Sequence, residues 1–451
     1  GKEVPQLAMA KYFKNGDFRS GYYHDQTFMM AIGQLSIKEF FAGLYGHTDL
    51  DYEPMSAGRQ MGGHFVTHSL HADGSWKNLT EQKNSSSDIS PTAAQMPRLL
   101  GLAYASKIYR QVPGITNAEN FSNEGNEIAW GTIGNASTSE GVFFETINAA
   151  GVLQVPMVMS VWDDEYGISV HAKHQTTKES ISEILKGYQR ENGSNGFEIL
   201  QVKGWDYADL IATYEKAAEV ARKEHVPVLV HVSQLTQPQG HSSSGSHERY
   251  KSTERLAWEK DYDCIRQMRL WMIAINIASP EELDEIDANA KIAVLEGKKE
   301  AWKAFIEPII EEQKELVALL ENIALSSKNK DKILQYSANL DRIKDFYHEV
   351  LGLEILGTFE GHDNYDGVFL GQPNSDWHLE LTVSNQPPEH TPDEDDLLVF
   401  YFDTVSEYHA QVEKIRKHGV EQVEPKNPYW KIHGTTFKDT DGFLVVIALT
   451  K

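Results

Sequence analysis

The sequence is poor in cysteine, in long apolar runs and in positive charge. A single cysteine, Cys264, in 451 residues excludes an internal disulfide and is typical of a protein from a reducing cytosol. No apolar run approaches the length of a membrane span, and the N-terminus, "GKEVPQ" without a Met, has no signal-peptide pattern. From these absences we expect a cytoplasmic protein with no membrane contact.

Acidic residues outnumber basic residues by 66 to 42, so the formal net charge is -24. A surplus of this size argues against a nucleic acid or an anionic membrane as a partner. It also means that a site for an anionic substrate needs local positive charge of its own. With 40% hydrophobic and 24% charged residues, the composition is that of a globular protein with two or three domains.

Residues 1–324 alternate between helical and strand-like patterns. Apolar periodicity predicts helices over 26–46, 95–110, 141–153, 207–223 and 279–323. Short apolar runs predict buried parallel strands over 128–133, 156–162 and 227–232. The alternation predicts a doubly wound α/β fold, in which ligands bind at the carboxyl ends of the strands.

The polar stretch "LSSKNKDK", 325–332, predicts a linker to a second domain over 333–451. There the order of one strand, one helix and three strands occurs twice. The first copy is predicted at 333–338, 339–352, 353–359, 366–371 and 378–383. The second is predicted at 397–402, 405–418, 420–424, 432–437 and 443–449. The repeat predicts an α+β domain of two βαβββ modules.

One stretch, "IGNASTSEGVFFETINAAGVLQVPMVMSVWDDEYGIS" (133–169), combines hard oxygen ligands with a helix N-terminus. Asn135 ends one predicted strand and Asp164 ends the next, and the carbonyl of Tyr166 follows. Magnesium prefers such oxygens, and the first amides of the helix over 141–153 suit phosphate. Taken alone, the same residues also fit a strand end followed by a polar turn.

Several motifs together resemble a known family. The spacing of Ser139-Glu140-Gly141, Asn148 and Tyr166-Gly167-Ile168-Ser169 is similar to the thiamine-diphosphate signature. "SAGRQMGGHF" (56–65), "SPTAAQMPRLLGLAYASK" (90–107) and "QGHSSSGSHERY" (239–250) resemble segments of one family. This family is the alpha half of the decarboxylating component of branched-chain 2-oxo acid dehydrogenase complexes. The resemblance covers roughly 15–324.

The resemblance implies oxidative decarboxylation of a branched-chain 2-oxo acid with thiamine diphosphate and Mg²⁺, and acyl transfer to a lipoyl group. It implies a beta-type partner subunit, a lipoyl acyltransferase partner and an oligomeric assembly. Catalytic roles carry over to His64 and His241, and metal binding to Asn135, Asp164 and Tyr166. Cofactor binding carries over to Tyr23, His24, Ser90, Thr92, Gly134, Ala136, Ser137, Glu140, Trp162 and His241. Substrate contact carries over to Arg59 and Gln60.

Two departures from the family pattern concern charge. Asn135 stands where the family has an acid, and Asp164 stands where it has Asn, so the two ligand types have exchanged places. One carboxylate still faces the metal, and the sum of the ligand charges is unchanged. His24 stands where the family usually has an Arg that grips the diphosphate, and neutral histidine lacks the guanidinium fork.

Simpler interpretations of the loop residues remain open at this point. His64 and His241 could be polar loop histidines, and Arg59 could pair with a nearby acid. The Ser/Gly-rich loop around His241 is expected to be mobile, as a loop that closes a site must be. The serine runs 85–87 and 242–244 could be modified, but such runs are usually flexible loops.

The segments "YSANLDRIKDFYHEVLGLEIL" and "KDTDGFLVVIAL" resemble the vicinal-oxygen-chelate superfamily, which includes glyoxalases and bleomycin-resistance proteins. Its metal positions correspond here to Lys332, Glu380, Leu397 and Val446, and one carboxylate does not make a metal site. His378 shares a strand face with Glu380, so a weak pair is conceivable, but we expect a metal-free cleft. Trp377, Tyr401, Trp430 and His433 would line it or fill the core.

Two functions follow as hypotheses. The first is the alpha-type part of a 2-oxo acid dehydrogenase with an appended small-molecule-binding domain. The alternative is a binding protein, in which the first domain is a catalytically silent scaffold and the C-terminal cleft binds the ligand.

Overall fold

The chain divides into an N-terminal unit, Gly1–Pro308, and a C-terminal unit, Ile309–Lys451. The computed structural model describes residues 1–60, 62–191, 194–241, 247–330, 346–362, 365–371, 378–384, 392–393 and 396–450. In these ranges no helix is both long enough and apolar enough to cross a membrane.

A parallel sheet of six strands forms the centre of the N-terminal unit, in the order β2-β1-β3-β4-β8-β7. These strands are β1 Phe18–Ser20, β2 Asn84–Ser85, β3 Ala129–Gly134, β4 Met157–Trp162, β7 Glu198–Lys203 and β8 Val228–Ser233, and a small hairpin joins β5 Tyr166–Gly167 to β6 Val170–His171. Every residue of β4 is buried, as expected for a strand covered on both faces. The three predicted strands are confirmed to within one residue at each end.

Helices cover both faces of this sheet. The helices are α1 Glu3–Tyr12, α2 Gln26–Ala31, α3 Ile37–Tyr45, α4 Gln95–Gln111, α5 Gly141–Leu153, α6 Ile181–Ile184, α7 Tyr207–Glu219, α8 Thr253–Asp261, α9 Cys264–Ala274 and α10 Pro280–Ser326. Residues of α1, α2 and α7 pack into one apolar cluster and residues of α4 and α5 into another. Two clusters on opposite faces are the arrangement of a doubly wound fold, which confirms the predicted fold class.

The prediction of one helix over 26–46 is wrong, because two helices share this range. Gly33 has a positive φ of 78° and turns the chain after α2. Ser36 then begins α3 with a capping box, in which its hydroxyl accepts from Glu39 N and the Glu39 carboxylate accepts from Ser36 N. The apolar spacing continues across the turn because Phe28 and Leu35 are buried on the same core.

Strands β1 and β7 were not predicted. β1 contains the buried polar residues Arg19 and Ser20, so its sequence lacks an apolar run. β7 lies at the sheet edge, and only Val202 of its six residues is fully buried. The helix predicted over 207–223 ends as an α-helix at Glu219 and continues as a single π turn, Val220–Glu224.

The C-terminal unit contains two three-stranded sheets, in the orders β11-β10-β9 and β12-β14-β13. Its elements are β9 Glu354–His362, β10 Tyr365–Gly371, β11 His378–Ser384, β12 Leu397–Phe402, α11 Val405–Lys417, α12 Pro428–His433, β13 Gly434–Lys438 and β14 Leu444–Leu449. Strands β12 and β14 are parallel, and the other pairs are antiparallel. The second copy of the predicted repeat is confirmed for its first strand, its helix and its last two strands, whereas residues 331–345 of the first copy lie outside the described residues.

Two details of the second copy differ from the prediction. The strand expected at 420–424 is reduced to one bridge, between Gln422 and Phe437. The strand expected at 432–437 begins at Gly434, because α12 occupies the preceding residues. Asn427 starts this helix by accepting from Tyr429 N, and Pro428 follows at the position where proline is favoured.

The predicted domain boundary at 324 lies near the end of α10, at Ser326, whereas the division into units falls at Pro308, inside the same helix. The linker predicted over 325–332 extends past residue 330 into undescribed residues. This boundary stays a prediction.

Candidate active site

The loops that follow β1, β3 and β4 meet at one edge of the N-terminal sheet. β3 lies between the other two strands, with Ser20 opposite Gly131 and Gly134 opposite Trp162. Asn135, the residue after β3, donates its main-chain N–H to the Trp162 carbonyl at 3.0 Å. Parallel strands end at the same edge, so the segment after each strand contributes side chains to one place.

Two of the predicted metal ligands are buried at this edge. Asn135 is 6% exposed and Asp164 is 4% exposed. The Asp164 Oδ1 atom accepts from the main-chain N–H of Tyr166 at 3.1 Å, which orients the carboxylate and the Tyr166 backbone together. Lys2 Nζ lies 2.8 Å from the other carboxylate oxygen, Oδ2.

A metal site here depends on amide and main-chain oxygens as well as the carboxylate. No group of three or more His, Cys, Asp or Glu side chains that could hold a metal occurs in the part of the chain that the structure describes. The predicted ligands Asn135, Asp164 and the Tyr166 carbonyl are hard oxygens of the kind that Mg²⁺ binds together with water and phosphate.

Several buried polar atoms at this edge have no hydrogen-bond partner among the described residues, and four of them can donate a hydrogen bond. These four atoms are Tyr22 Oη, His24 Nδ1, Asn135 Nδ2 and Trp162 Nε1. A buried polar atom without a partner costs about 1–3 kcal/mol. A group with several acceptor oxygens, such as a diphosphate, would satisfy this set of donors, so the residues present fit the phosphate part of the implied cofactor.

Gly134 and Tyr22 shape the same place. A Cβ atom added to Gly134 would lie 3.5 Å from the Tyr22 hydroxyl, so glycine leaves the space beside this hydroxyl open. Burial raises the pKa of Tyr22, and Asp25 and Asp164 add to the shift, so the hydroxyl stays protonated and able to donate. Sequence reasoning named Tyr23, which is 42% exposed, and missed its neighbour Tyr22.

His24 is a neutral residue in this site. Burial, together with the positive charge of Lys2, lowers its pKa to about 3. Its ring lies 5.1 Å from the Tyr22 ring and 4.5 Å from the Tyr23 ring, between centroids, and its carbonyl accepts from Gln6 Nε2 at 2.9 Å. At neutral pH, His24 therefore contributes hydrogen bonding and no charge.

A buried ion cluster holds the loop after β1. Arg19 is fully buried and donates to both carboxylate oxygens of Asp88 at 3.0 Å and to Asp25 Oδ2 at 2.8 Å. It also donates to Ser85 Oγ at 2.8 Å and to the Tyr22 carbonyl at 3.0 Å. The serine run at 85–87 is therefore not a flexible loop at its first residue, because Ser85 is buried and bonded to Arg19.

A second cluster fixes the segment after β4. Arg255 Nη2 donates to the Asp164 carbonyl at 3.0 Å, Nε donates to Glu259 at 2.8 Å, and Nη1 pairs with Glu165. The Arg255 guanidinium lies 5.5 Å from the Tyr166 ring centroid, and Lys251 Nζ lies 5.1 Å from it. The i,i+4 spacing of Arg255 and Glu259 was visible in the sequence, but their contact with the Asp164–Tyr166 segment was not.

Behind Asp164 lies a buried chain of polar side chains. His231 on β8 approaches Asp163 Oδ2 with Nε2 at 2.8 Å and Ser182 Oγ with Nδ1 at 2.8 Å. All three residues are less than 10% exposed. Asp163 is adjacent to Asp164, so this chain of hydrogen bonds anchors the residues that follow β4.

The remaining predicted site residues lie nearer the surface. His64 Nε2 is 3.1 Å from Ser90 Oγ, and Gln60 Nε2 donates to Ser87 Oγ at 3.2 Å. Arg59 is exposed and donates to the Ser56 carbonyl at 3.3 Å, in a loop whose amides donate to the buried Glu53 carboxylate.

The predicted cofactor-binding residues differ in exposure. Ala136 and Ser137 are half-buried, whereas Tyr23, Ser90, Thr92, Glu140 and His241 are exposed. The residues that follow His241, 242–246, lie outside the described residues, as does the second serine run at 242–244.

In the C-terminal unit, a cavity of about 340 Å³ is lined by three tyrosines, a tryptophan, a histidine and neighbouring residues. Tyr401, Trp430 and His433, predicted to line a cleft or fill the core, all line this cavity. Glu380 and His378 are exposed on β11, opposite Phe369 and Gly371, and do not line it. Trp377 and Lys332 lie outside the described residues, Val446 is buried in β14, and Leu397 is half-buried in β12.

Residues 1–309 match the family described as dehydrogenase E1 component. The chain belongs to this family, which is an enzyme family of the 2-oxo acid dehydrogenase type and implies the use of thiamine diphosphate. Residues 333–382 and 395–448 match the YycE-like N-terminal and C-terminal domains. The two resemblances stated from the sequence are confirmed.

Individual relatives also match either the N-terminal or the C-terminal part of the chain. The 2-oxoisovalerate dehydrogenase subunit alpha of Bacillus subtilis is 26% identical over 310 residues, 67% of this chain and 82% of that protein. The mitochondrial 2-oxoisovalerate dehydrogenase subunit alpha 1 of Arabidopsis thaliana is 24% identical over 69% of this chain and 58% of its own length.

The C-terminal relatives are shorter proteins. The uncharacterized protein YycE of Bacillus subtilis is 40% identical over 124 residues, 27% of this chain and 87% of that protein. A crystal structure of a YycE protein of unknown function from Bacillus subtilis is 38% identical and covers 25% of this chain and 83% of its own, with a TM-score of 0.22.

Proposed function

We propose that the chain is the alpha-type component of an enzyme that oxidatively decarboxylates a branched-chain 2-oxo acid with thiamine diphosphate and Mg²⁺. The observation that carries the proposal is the set of four buried polar atoms without partners at the ends of β1, β3 and β4. Folded proteins are only marginally stable, so several unsatisfied buried polar atoms at one place are costly. They are expected where a bound ligand provides the missing hydrogen bonds.

The residues of this edge divide the task of holding the cofactor. Asp164, Asn135 and the Tyr166 carbonyl would hold Mg²⁺, and the Tyr22 hydroxyl and Trp162 Nε1 would donate to phosphate oxygens. Bound thiamine diphosphate supplies the electron sink for decarboxylation. Arg255 and Arg19 would position the two loops, through the Asp164 carbonyl and the Tyr22 carbonyl.

His64 and His241 are proposed to act at the reacting end of the site. His64 is oriented by its contact with Ser90 Oγ at 3.1 Å. The segment 90–107, which begins with Ser90, is proposed to contact the aminopyrimidine ring of the cofactor through its backbone. His241 is exposed and follows Gly240, whose φ is 71°. Arg59 and Gln60, on the loop next to His64, are proposed to receive the 2-oxo acid.

The proposal includes a beta-type partner subunit, which would supply the carboxylate that activates the cofactor, and a lipoyl acyltransferase that would accept the acyl group. Ser90, Thr92 and His241 are exposed, whereas Asn135 and Asp164 are buried. Exposure of one end of a site and burial of the other is the arrangement expected when a second subunit completes the site.

Isothermal titration calorimetry of the full chain with thiamine diphosphate tests the proposal, with and without Mg²⁺. We expect saturable binding that is strengthened by Mg²⁺ and no measurable decarboxylation of branched-chain 2-oxo acids by the chain alone. Activity should appear on addition of a beta-type subunit, and His241→Ala should abolish it while leaving assembly unchanged. Absence of binding under both conditions would contradict the proposal, and turnover by the chain alone would contradict the division between subunits.

A second function is favoured by the cavity of the C-terminal unit. Its lining of Tyr401, Tyr408, Tyr429, Trp430 and His433 suits a small ligand with an aromatic or apolar part. We propose metal-independent binding at this cavity, and elemental analysis that found one tightly held zinc, nickel or iron per chain would contradict it.

A further inference from the structure

The ammonium group of Lys2 places a positive charge inside the proposed cofactor site. Its Nζ atom lies 2.8 Å from Asp164 Oδ2, and the side chains of Lys2 and Asp164 are 14% and 6% exposed. Lys2 directly precedes α1, whose residues Val4, Ala8 and Met9 belong to the core. The packing of α1 therefore fixes the origin of the lysine side chain next to the carboxyl end of β4.

Three of the other cations near this edge have carboxylate partners that lie outside the proposed ligand set. Arg19 pairs with Asp25 and Asp88, and Lys251 pairs with Glu259 at 2.8 Å. Arg255 pairs with Glu259 and Glu165. Lys2 differs from these three residues, because its carboxylate partner is the proposed metal ligand itself.

A diphosphate needs positive charge here, in a chain whose net charge is -24. His24 does not supply this charge, because burial keeps its ring neutral at neutral pH. His24 and Lys2 are nevertheless close enough for the lysine charge to disfavour protonation of the ring. The positive charge is therefore present beside His24, on a residue from a different part of the chain.

We propose that Lys2 is a diphosphate ligand, whose ammonium exchanges the Asp164 carboxylate for a phosphate oxygen when Mg²⁺ binds Asp164. The exchange keeps each charge paired: the carboxylate passes from ammonium to metal, and the ammonium passes from carboxylate to phosphate. The flexible four-carbon stem of lysine permits this short movement. The inference rests on the proposed function and deepens it.

The test is calorimetry on the full chain with the variants Lys2→Met, Lys2→Arg and Lys11→Met. Lys11 is an exposed lysine at the other end of α1, so Lys11→Met changes the net charge by the same amount without touching the site. Each variant is titrated with thiamine diphosphate, with inorganic pyrophosphate and with thiamine, at a fixed saturating Mg²⁺ concentration. Circular dichroism checks that each variant is folded.

Lys2→Met should weaken the binding of thiamine diphosphate and of pyrophosphate roughly tenfold or more, because a charge-assisted hydrogen bond is lost. Thiamine, which has no phosphate, should bind Lys2→Met and the parent chain equally. Lys2→Arg should retain most of the affinity, and Lys11→Met should match the parent chain.

Two results would overturn the inference while leaving the proposed function intact. One is unchanged binding of thiamine diphosphate by Lys2→Met. The other is tighter binding by Lys2→Met, which would mean that Lys2 blocks Asp164 from the metal. If the parent chain itself binds no thiamine diphosphate, the proposed function fails, and the inference fails with it.

Discussion

Two buried tyrosine hydroxyls, one in each unit, have opposite surroundings. In the C-terminal unit, Tyr347 donates to Asp439 Oδ2 at 2.7 Å, and Asp439 Oδ1 accepts from the amides of Asp441, Gly442 and Phe443. In the N-terminal unit, the buried hydroxyl of Tyr22 has no partner among the described residues. The C-terminal hydroxyl stabilises a turn, whereas the N-terminal hydroxyl is available to a ligand.

The difference extends to charge. The N-terminal unit buries ion clusters around Arg19 and Arg255, and each cluster holds a loop of the proposed site. The C-terminal unit buries mainly apolar residues, including Phe346, Leu370 and Phe437, and the walls of its cavity combine aromatic and aliphatic side chains. Binding of an anionic cofactor and binding of an apolar ligand require these two kinds of surroundings.

The largest predicted effect on stability comes from removing the cation of the buried Arg19 cluster. Arg19→Met should lower the free energy of unfolding of the N-terminal unit by about 3–5 kcal/mol, because two buried carboxylates would lose their cation. Urea denaturation followed by circular dichroism measures it, with the exposed Arg59→Met as the control. A loss no greater than that of the control would show that the cluster is not needed for stability.

The comparison of tyrosines gives the next effect. Tyr347→Phe should lower the free energy of unfolding by about 1.5–3 kcal/mol, because a buried hydrogen bond to a carboxylate is lost. Tyr22→Phe should leave the free energy of unfolding unchanged or raise it, since it removes a hydroxyl that has no described partner. The same substitution should weaken the binding of thiamine diphosphate. Denaturation and calorimetry together measure both effects, and equal stability losses would remove the distinction between the two hydroxyls.

The exchanged metal ligands give an effect of about one order of magnitude in affinity. Asp164→Asn should weaken Mg²⁺-dependent binding of thiamine diphosphate roughly tenfold, and more than Asn135→Asp does, because it leaves two neutral side-chain ligands. Calorimetry over a range of Mg²⁺ concentrations measures the difference. If neither substitution alters binding, the metal site is in the wrong place.

The smallest predicted effect is shared by the two units. Ser36 begins α3 and Thr404 begins α11, and both form the same capping box with a glutamate three residues later. Ser36→Ala and Thr404→Ala should each lower the free energy of unfolding by about 1 kcal/mol, because each removes a helix cap. Thermal denaturation measures both, with Ser406→Ala on the exposed first turn of α11 as the control. A loss in one unit alone would mean that tertiary packing replaces the cap in the other.

Much of the fold could be predicted from the spacing of apolar residues, because buried strands and amphipathic helices each have a characteristic local pattern of apolar residues. The strands at 128–133 and 156–162 are apolar apart from Thr132 and Ser160, since helices cover both of their faces. The break after α2 was missed because Phe28 and Leu35 keep helical spacing across a turn. β1 was missed because Arg19 is buried through a long-range ion cluster, which no local pattern reveals.

Sequence patterns were enough to predict the order of the two domains, the doubly wound α/β fold and most of the βαβββ repeat, and they proposed Asn135, Asp164 and Tyr166 as metal ligands. Which side chains surround them was decided by the tertiary structure alone. Lys2 and Asp164 are 162 positions apart, Arg255 and Asp164 are 91 apart, and Arg19 and Asp88 are 69 apart. Hydrogen bonds and charges act over a few ångströms, so these contacts exist only after parallel strands bring distant segments to one edge of the sheet.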